Sequence, residues 1–392
     1  MVRIHAAGIL RKRIVHVVGN LSRSSGGPSH TVTGIAHLLA DNDQFDVHIV
    51  TQESPDGDAV DVPSSVSLVT IPEFSLPHSL IKRPLLGALR RLNRDVHIDV
   101  VINHGLWTPM NLQAARFASQ AGSKLVIQPH GMLSPWALNH HRYRKVIAGA
   151  AFQWKDLKRA DALLATSEAE YRIFRCLGLR QPIMISPNGI KLPKRVAPLK
   201  KPGTQMTALF LGRLHPVKGL DNLLRSWKRI NPCNWELLIA GPSHGSYQAH
   251  LEGIVRKESI PNVEFLGPVF GSEKESLFRR ANLFILPSHT ENFGVVIAEA
   301  LSHGIPVITT TGTPWEDLIH RGCGWWVEPN VTGLTEALQE AVALPHSIRM
   351  AMGTRAALLA EEFDWKRVSE GLIDFIEWLA CGEVAPRNLR LL

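Results

Sequence analysis

The chain has 392 residues, more than one ordinary hydrophobic core holds and enough for two domains. Hydrophobic residues make up 45% and charged residues 20%, which excludes a disordered chain. Lys and Arg number 43 against 35 Asp and Glu, a net charge of +8, and residues 1–190 hold nearly all of that excess with 21 basic against 14 acidic side chains.

The asymmetry points to an anionic surface or ligand met by the first half alone. No apolar run reaches the roughly 18 residues that a membrane-spanning helix needs. Arg11, Lys12 and Arg13 cut the apolar stretch near the start, so a signal peptide is not expected. Cys176, Cys233, Cys323 and Cys381 are far apart, which argues against a disulfide scaffold or zinc ribbon and for a reducing, cytoplasmic setting. The 18 histidines show no convincing ligand spacing, and no metal site is expected.

In chain order, Ile14–Gly19 reads as a buried strand and is followed by Ser24-Ser-Gly-Gly-Pro-Ser29. Gly26 and Gly27 there would let a ligand approach the backbone, although the loop is not the Gly-x-Gly-x-x-Gly fingerprint of nicotinamide sites. A helix is predicted over His30–Leu39, then strands at Val47–Thr51, Asp99–Asn103, Lys124–Gln128 and Ala162–Thr166. Leu80–Arg94 combines five cations with a leucine stripe, and His140–Lys145 is a second basic patch. After the strand ending at Gln128, His130 sits at a Gly turn, where it suits either a cleft hydrogen bond or a structural role.

Pro187–Pro202, rich in Pro and Lys, reads as a hinge. The second half repeats the pattern, with strands at Ala208–Leu211, Glu236–Ala240, Val263–Leu266, Leu283–Leu286 and Pro306–Thr309. Near-continuous apolar strands separated by helix-length segments mark doubly wound parallel sheets. The expected architecture is therefore α/β, with two Rossmann-like domains facing across a cleft. Residues 1–190 form the first domain, 191–362 the second, and 363–392 a helix and tail packing back toward the first. Phe363–Leu379 is that amphipathic helix, apolar at Val368, Leu372, Phe375 and Leu379.

Two loops of the second half carry most of the chemistry. Phe210–Gly219 places Arg213 and Lys218 after a strand, where a planar guanidinium and a compact ammonium suit diphosphate oxygens, or simply solvent. Ser288–Gly304 runs from a polar turn with Glu291, Asn292, Phe293 and Gly294 into a helix holding Glu299. Its first-turn amides suit a phosphate. Were that spacing largely helical, the two carboxylates would stand roughly 12 Å apart along the axis and reach hydroxyls on either side of a diphosphate. The same residues also suit an ordinary acidic helix start.

Taken together, Gly26-Gly27-Pro28-Ser29, His130-Gly131-Met132, Ser186-Pro-Asn-Gly-Ile190, Gly212-Arg213 with Lys218-Gly219, and Glu291-Asn-Phe-Gly through Glu299-Ala300 resemble the retaining glycosyltransferases of family four, which have the GT-B fold. The motifs occur in the family's order from about Arg13 to Arg367.

The resemblance implies transfer of a hexose-type sugar from a nucleotide diphosphate donor to a saccharide or lipid-linked saccharide acceptor, in bacterial surface polysaccharide or lipopolysaccharide biosynthesis. Residues 1–190 would bind the acceptor and 191–362 the donor. Glu291 would contact the donor sugar, Glu299 the ribose, and Arg213 and Lys218 the leaving diphosphate, with the backbone of Gly27 and the amides near Asn292, Phe293 and Gly294 completing the cradle. Gly267 and Val269 would border the base, and His130 would orient the reacting sugar. No cofactor is implied beyond the donor substrate. Asp41-Asn-Asp43 and Asp56-Gly-Asp58 match the metal motif of another glycosyltransferase fold, but they read as solvated loops.

The basic first half then suits docking on the inner face of an anionic membrane through Leu80–Arg94 and His140–Lys145. The alternatives are a nucleotide-sugar epimerase of the same fold and, from a pI near 9.5 alone, a nucleic-acid-binding protein. Three scattered tyrosines and the lack of a recognition module speak against a nucleic-acid partner.

Overall fold

A computed structural model describes residues 11–22, 27–53, 59–73, 83–140, 142–193, 205–243, 245–382 and 384–391. The chain forms two compact units. One holds the residues up to Pro187 together with those from Trp365 onward, and the other holds Asn188–Asp364. The chain crosses at Pro187 and Asp364, not at residues 190 and 362, because Ile190 donates its amide to Phe363 O at 2.8 Å and bridges Asp364. Both crossing segments are thereby stitched to the second unit. Of the hinge region, residues 194–202 lie outside the described residues.

The first unit is built on β1 (Lys12–Val18), β2 (Phe45–Gln52), β3 (Ser67–Ile71), β4 (Ile98–His104), β5 (Lys124–Gln128), β6 (Ala162–Ala165) and β7 (Ile183–Ile185). These strands are parallel and ordered β7-β6-β5-β4-β1-β2-β3. Continuous apolar runs suit strands covered on both faces, and Ile14, Val15, Val17, Val100, Val101, Val126 and Ile127 are fully buried. The strand order reverses between β1 and β4, the place where open α/β sheets bind ligands outside their carboxyl edge.

Local signals fix the helices beside this sheet. Thr108 caps helix Pro109–Ala121 in a reciprocal capping box with Asn111, and Ser167 caps helix Glu168–Cys176. The helix Pro84–Asp95 corrects the proposed membrane-lying segment. Leu85, Leu86, Ala88 and Leu89 are in the core, so the leucine stripe is already covered by protein, while residues 80–82 lie outside the described residues. The terminal helix Trp365–Cys381 belongs to this unit. Val368, Leu372, Phe375, Ile376 and Leu379 share a core cluster with Val32, Ile35 and Leu39 of helix Gly27–Ala40. A Cβ on Gly34 would come within 2.4 Å of the Trp365 ring. No described helix is long and apolar enough to cross a membrane.

The second unit repeats the architecture with β8 (Met206–Leu211), β9 (Trp235–Ala240), β10 (Val263–Gly267), β11 (Leu283–Leu286), β12 (Val307–Thr310) and β13 (Gly324–Val327). All six are parallel, in the order β10-β9-β8-β11-β12-β13. Here the order reverses between β8 and β11. The chain returns to the first unit and ends in a two-residue strand, β14 (Leu389–Arg390), antiparallel to β7.

Candidate active site

The loops leaving β8 and β11, at the switch point of the second sheet, are the two that carry Arg213, Lys218 and Glu291. Glycines let them pack backbone against backbone. A Cβ on Gly219 would come 2.2 Å from Pro287 O, and one on Gly312 would come 2.2 Å from His289 O. Gly241, after β9, has φ +140 and would collide with Gly212 O at 2.0 Å. Amide bonds hold the result: His289 N donates to Val217 O and Glu291 N to Gly312 O, each at 2.8 Å.

Within this frame Lys218 Nζ donates to Glu291 Oε1, and Ser288 Oγ donates to the same oxygen at 2.9 Å. The two charged side chains are only 16% and 14% exposed, so solvent screens their pair less than a surface one. Arg213 is exposed and has no ion pair among the described residues.

Phe293 and Gly294 lead into helix Val295–Ser302, and Gly294, its N-cap, has φ +78. Trp315 Nε1 donates to Phe293 O, and the Phe293, Trp315 and Phe363 rings pack with centroids 5.1–5.5 Å apart. That aromatic knot fixes where the first-turn amides of the helix point. Asn292 is half-buried beside it.

Glu291 lies outside the helix, so the separation of roughly 12 Å expected from helical spacing does not apply. Glu299 is inside the helix and has its own partner, Lys274 Nζ at 2.6 Å from Oε1, on helix Gly271–Arg280. Sequence spacing gives no sign of the Lys274–Glu299 contact. Gly267 ends β10 with φ +72 and accepts from Gly241 N at 2.7 Å, while Val269 is half-buried against the core.

In the first unit, His130 follows β5 in a left-handed conformation, φ +52, rare for a residue with a side chain. Gly131 follows at φ +77, and Glu170 holds the turn by accepting from Gly131 N at 2.7 Å. The buried Glu170 also accepts from Thr166 N at 2.8 Å and Thr166 Oγ1 at 3.0 Å; burial pushes its carboxyl above the usual range. His130 is the end of a histidine row, with His104 Nδ1 3.0 Å from His130 Nε2 and His16 Nδ1 2.9 Å from His104 Nε2. Sequence reading missed Glu170, His104 and His16, because nothing in spacing joins residues from β1, β4 and a distant helix.

Gly27 is exposed at the start of helix Gly27–Ala40, and Gly26 lies outside the described residues. Asp41 pairs with His37 at 3.4 Å and Asp43 with Arg11 at 4.0 Å, while Asp56 and Asp58 are outside the described residues. Among the described residues, no group of three or more His, Cys, Asp or Glu is placed to hold a metal ion.

Residues 193–358 match the family model described as glycosyl transferases group 1, and residues 25–193 match glycosyltransferase family 4. The D-inositol 3-phosphate glycosyltransferase of Mycobacterium tuberculosis is 30% identical over 194 residues, 45% of this chain. That match spans 38% of the relative's length. Among solved structures, sucrose-phosphate synthase from Thermosynechococcus elongatus superposes with a TM-score of 0.78 at 17% identity, covering 95% of this chain and 100% of that one. Anabaena HepE, solved with UDP and glucose, gives 0.73 at 17% identity over 94% and 100%. WaaG, a glycosyltransferase involved in lipopolysaccharide biosynthesis, gives 0.66 at 18% identity over 93% and 99%. With the two family models together covering residues 25–358, the chain belongs to the group 1, family-four glycosyltransferases and has their GT-B architecture of two parallel-sheet α/β units.

Proposed function

We propose that the protein transfers a hexose, with retention of configuration, from a nucleotide diphosphate sugar to a saccharide or lipid-linked saccharide in the assembly of a bacterial surface polysaccharide or lipopolysaccharide. The observation that carries this reading is the placement of Arg213, Lys218 and Glu291 on the two loops of the second sheet's switch point. HepE, solved with UDP and glucose, has the same fold.

In this reading the anomeric carbon–oxygen bond to the diphosphate breaks, and the acceptor oxygen bonds to that carbon from the same face. The acceptor's proton passes to the departing phosphate oxygen. Negative charge grows on the diphosphate, where Arg213, Lys218 and the first-turn amides of Val295–Ser302 stabilise it. An ammonium has three donors, so Lys218 serves Glu291 and phosphate together. Glu291 takes a sugar hydroxyl and Glu299 the ribose. Gly267 and Val269 border the base, and Gly27 offers its backbone. His130 makes a hydrogen bond to the transferred sugar. The two cations take the part a divalent metal plays in other transferases, so turnover is expected to persist in excess chelator.

The test is nucleotide release from UDP- and GDP-hexoses, which should require an acceptor, with the anomeric configuration of the product read by proton NMR. Acceptor-independent release, or an inverted product, would contradict the reading.

Membrane docking is left to the second basic patch, His140–Lys145, of which His141 lies outside the described residues, together with its apolar neighbours. Trp136, Tyr143, Val146 and Ile147 are 45%, 87%, 60% and 70% exposed beside Arg142 and Arg144, a mixture of apolar and basic side chains suited to an anionic leaflet. Cosedimentation with phosphatidylglycerol vesicles, lost in Tyr143→Ser/Ile147→Ser, is expected. Equal binding by that variant would rule this surface out.

A further inference from the structure

The histidine row has a consequence for the atom that His130 offers to its ligand. The ring planes are inclined by only 11° and 25°, and each contact joins Nδ1 of one ring to Nε2 of the next. His16, on β1, is fully buried, and its strand partner in β4 is Ile102, two positions before His104. Burial holds all three rings neutral near pH 7, lowering His16 to about 3, His130 to about 4 and His104 well below its ordinary value.

A neutral imidazole has one N–H and one bare nitrogen. Each contact in the row therefore needs one proton, and each ring has one to give. Only two arrangements meet both conditions. Either all three rings carry the proton on Nδ1, or all three carry it on Nε2. The inner end decides between them. His16 Nε2 is buried with no partner among the described residues, and an orphaned buried N–H is the rarer and costlier defect. The row therefore runs with His16 donating to His104 and His104 donating to His130.

We propose that His104 and, behind it, His16 are positioning residues that fix the proton of His130 on Nδ1, so that this atom is a hydrogen-bond donor to the transferred sugar and not a general base. The proposal rests on the assignment of His130 to the sugar given above. It agrees with a transfer in which the departing phosphate, and no side chain, accepts the acceptor's proton.

Nitrogen-15 NMR of the imidazole rings in the free protein at pH 7 tests this without any sugar, with His130 assigned from the signals lost in His130→Gln. The expected spectrum has all three rings protonated at Nδ1. A spectrum with His130 protonated at Nε2 would overturn the proposal while leaving the transferase reading intact; absent transfer with the expected spectrum would overturn that reading and the sugar contact, and leave only the tautomer assignment standing.

His104→Phe removes the link and keeps an aromatic ring. It should release His130 to a mixture of tautomers and lower kcat about 10-fold, with donor KM within about 2-fold, the pattern of a contact made in the transition state. In His104→Gln the amide oxygen can accept from His16 and its N–H can donate to His130, preserving the polarity, so most of the lost kcat should return. Equal loss in both variants with an unchanged His130 tautomer would show a merely structural role.

Discussion

Lys218 and Glu291, 73 residues apart in sequence, form an ion pair at the switch point of the second sheet, with Ser288 donating to the same carboxylate oxygen. The pair ties the cation expected at the diphosphate to the carboxylate expected at the sugar. Glu291→Ala should therefore lower kcat/KM by at least about 100-fold, because a preorganised contact to the reacting sugar is lost. It should also destabilise the second unit by about 1–3 kcal/mol, since Lys218 loses its partner in a poorly exposed place. Steady-state kinetics and thermal unfolding check both, and wild-type turnover would remove Glu291 from the site.

Arg213 differs from Lys218 in being exposed and without an ion pair among the described residues. Arg213→Ala should leave the melting temperature of the free protein unchanged and weaken nucleotide diphosphate binding about 10-fold. A ligand-induced thermal shift that matches wild type would contradict this.

Lys274 holds Glu299 at 2.6 Å, with side chains 30% and 26% exposed. Lys274→Met should raise donor KM a few-fold with little change in kcat, the pattern for a residue that orients a ribose contact away from the reacting bond. A fall in kcat at constant KM would place this pair elsewhere in the reaction.

Glu170 accepts three hydrogen bonds, including the one that holds the left-handed His130–Gly131 turn. Glu170→Ala should cost about 2–4 kcal/mol by removing the common acceptor of all three bonds, and Glu170→Gln less, because its amide oxygen keeps part of the set. Denaturant unfolding monitored in the first unit separates the two.

Acid should unfold the first unit early. His16 and His104 have folded-state pKa values below the ordinary 6.5, so below that pH the unfolded chain binds protons that the folded chain does not. Stability is present above pH 6.5 and falls as pH drops toward the folded-state values, by about 1.4 kcal/mol per pH unit for each of these histidines once the unfolded forms are charged. His16→Phe should flatten the slope between pH 6 and 4.5. An unchanged slope would show that His16 is not held neutral.

Much of this architecture is legible from residues alone. The apolar runs at Val47–Thr51, Lys124–Gln128 and Glu236–Ala240 lie within the observed strands, because a strand buried on both faces must be apolar throughout. The strands not predicted are the weakly patterned ones at or near sheet edges. β3 is largely exposed, β7 spans three residues, and β13 is a half-buried Gly-Trp-Trp-Val. The placement of Arg213, Lys218 and Glu291 in loops after β8 and β11 is legible because those strands are strongly apolar. The parts played by Lys274, Glu170, His104 and His16 are not, since they come from contacts across the fold. The leucine stripe of Pro84–Asp95 misled in the opposite direction: an amphipathic helix on a sheet and one on a membrane share the same pattern.

The carboxyl edge of the second sheet is expected to bind a nucleotide diphosphate through Arg213 and the Lys218–Glu291 pair. Calorimetric titration of UDP and of GDP into the wild-type protein and Arg213→Ala measures that binding. Saturable binding of one nucleotide to the wild type, weakened about 10-fold in the variant, is the expected result. Failure of both nucleotides to bind the folded wild type, or equal affinity in the variant, would contradict it.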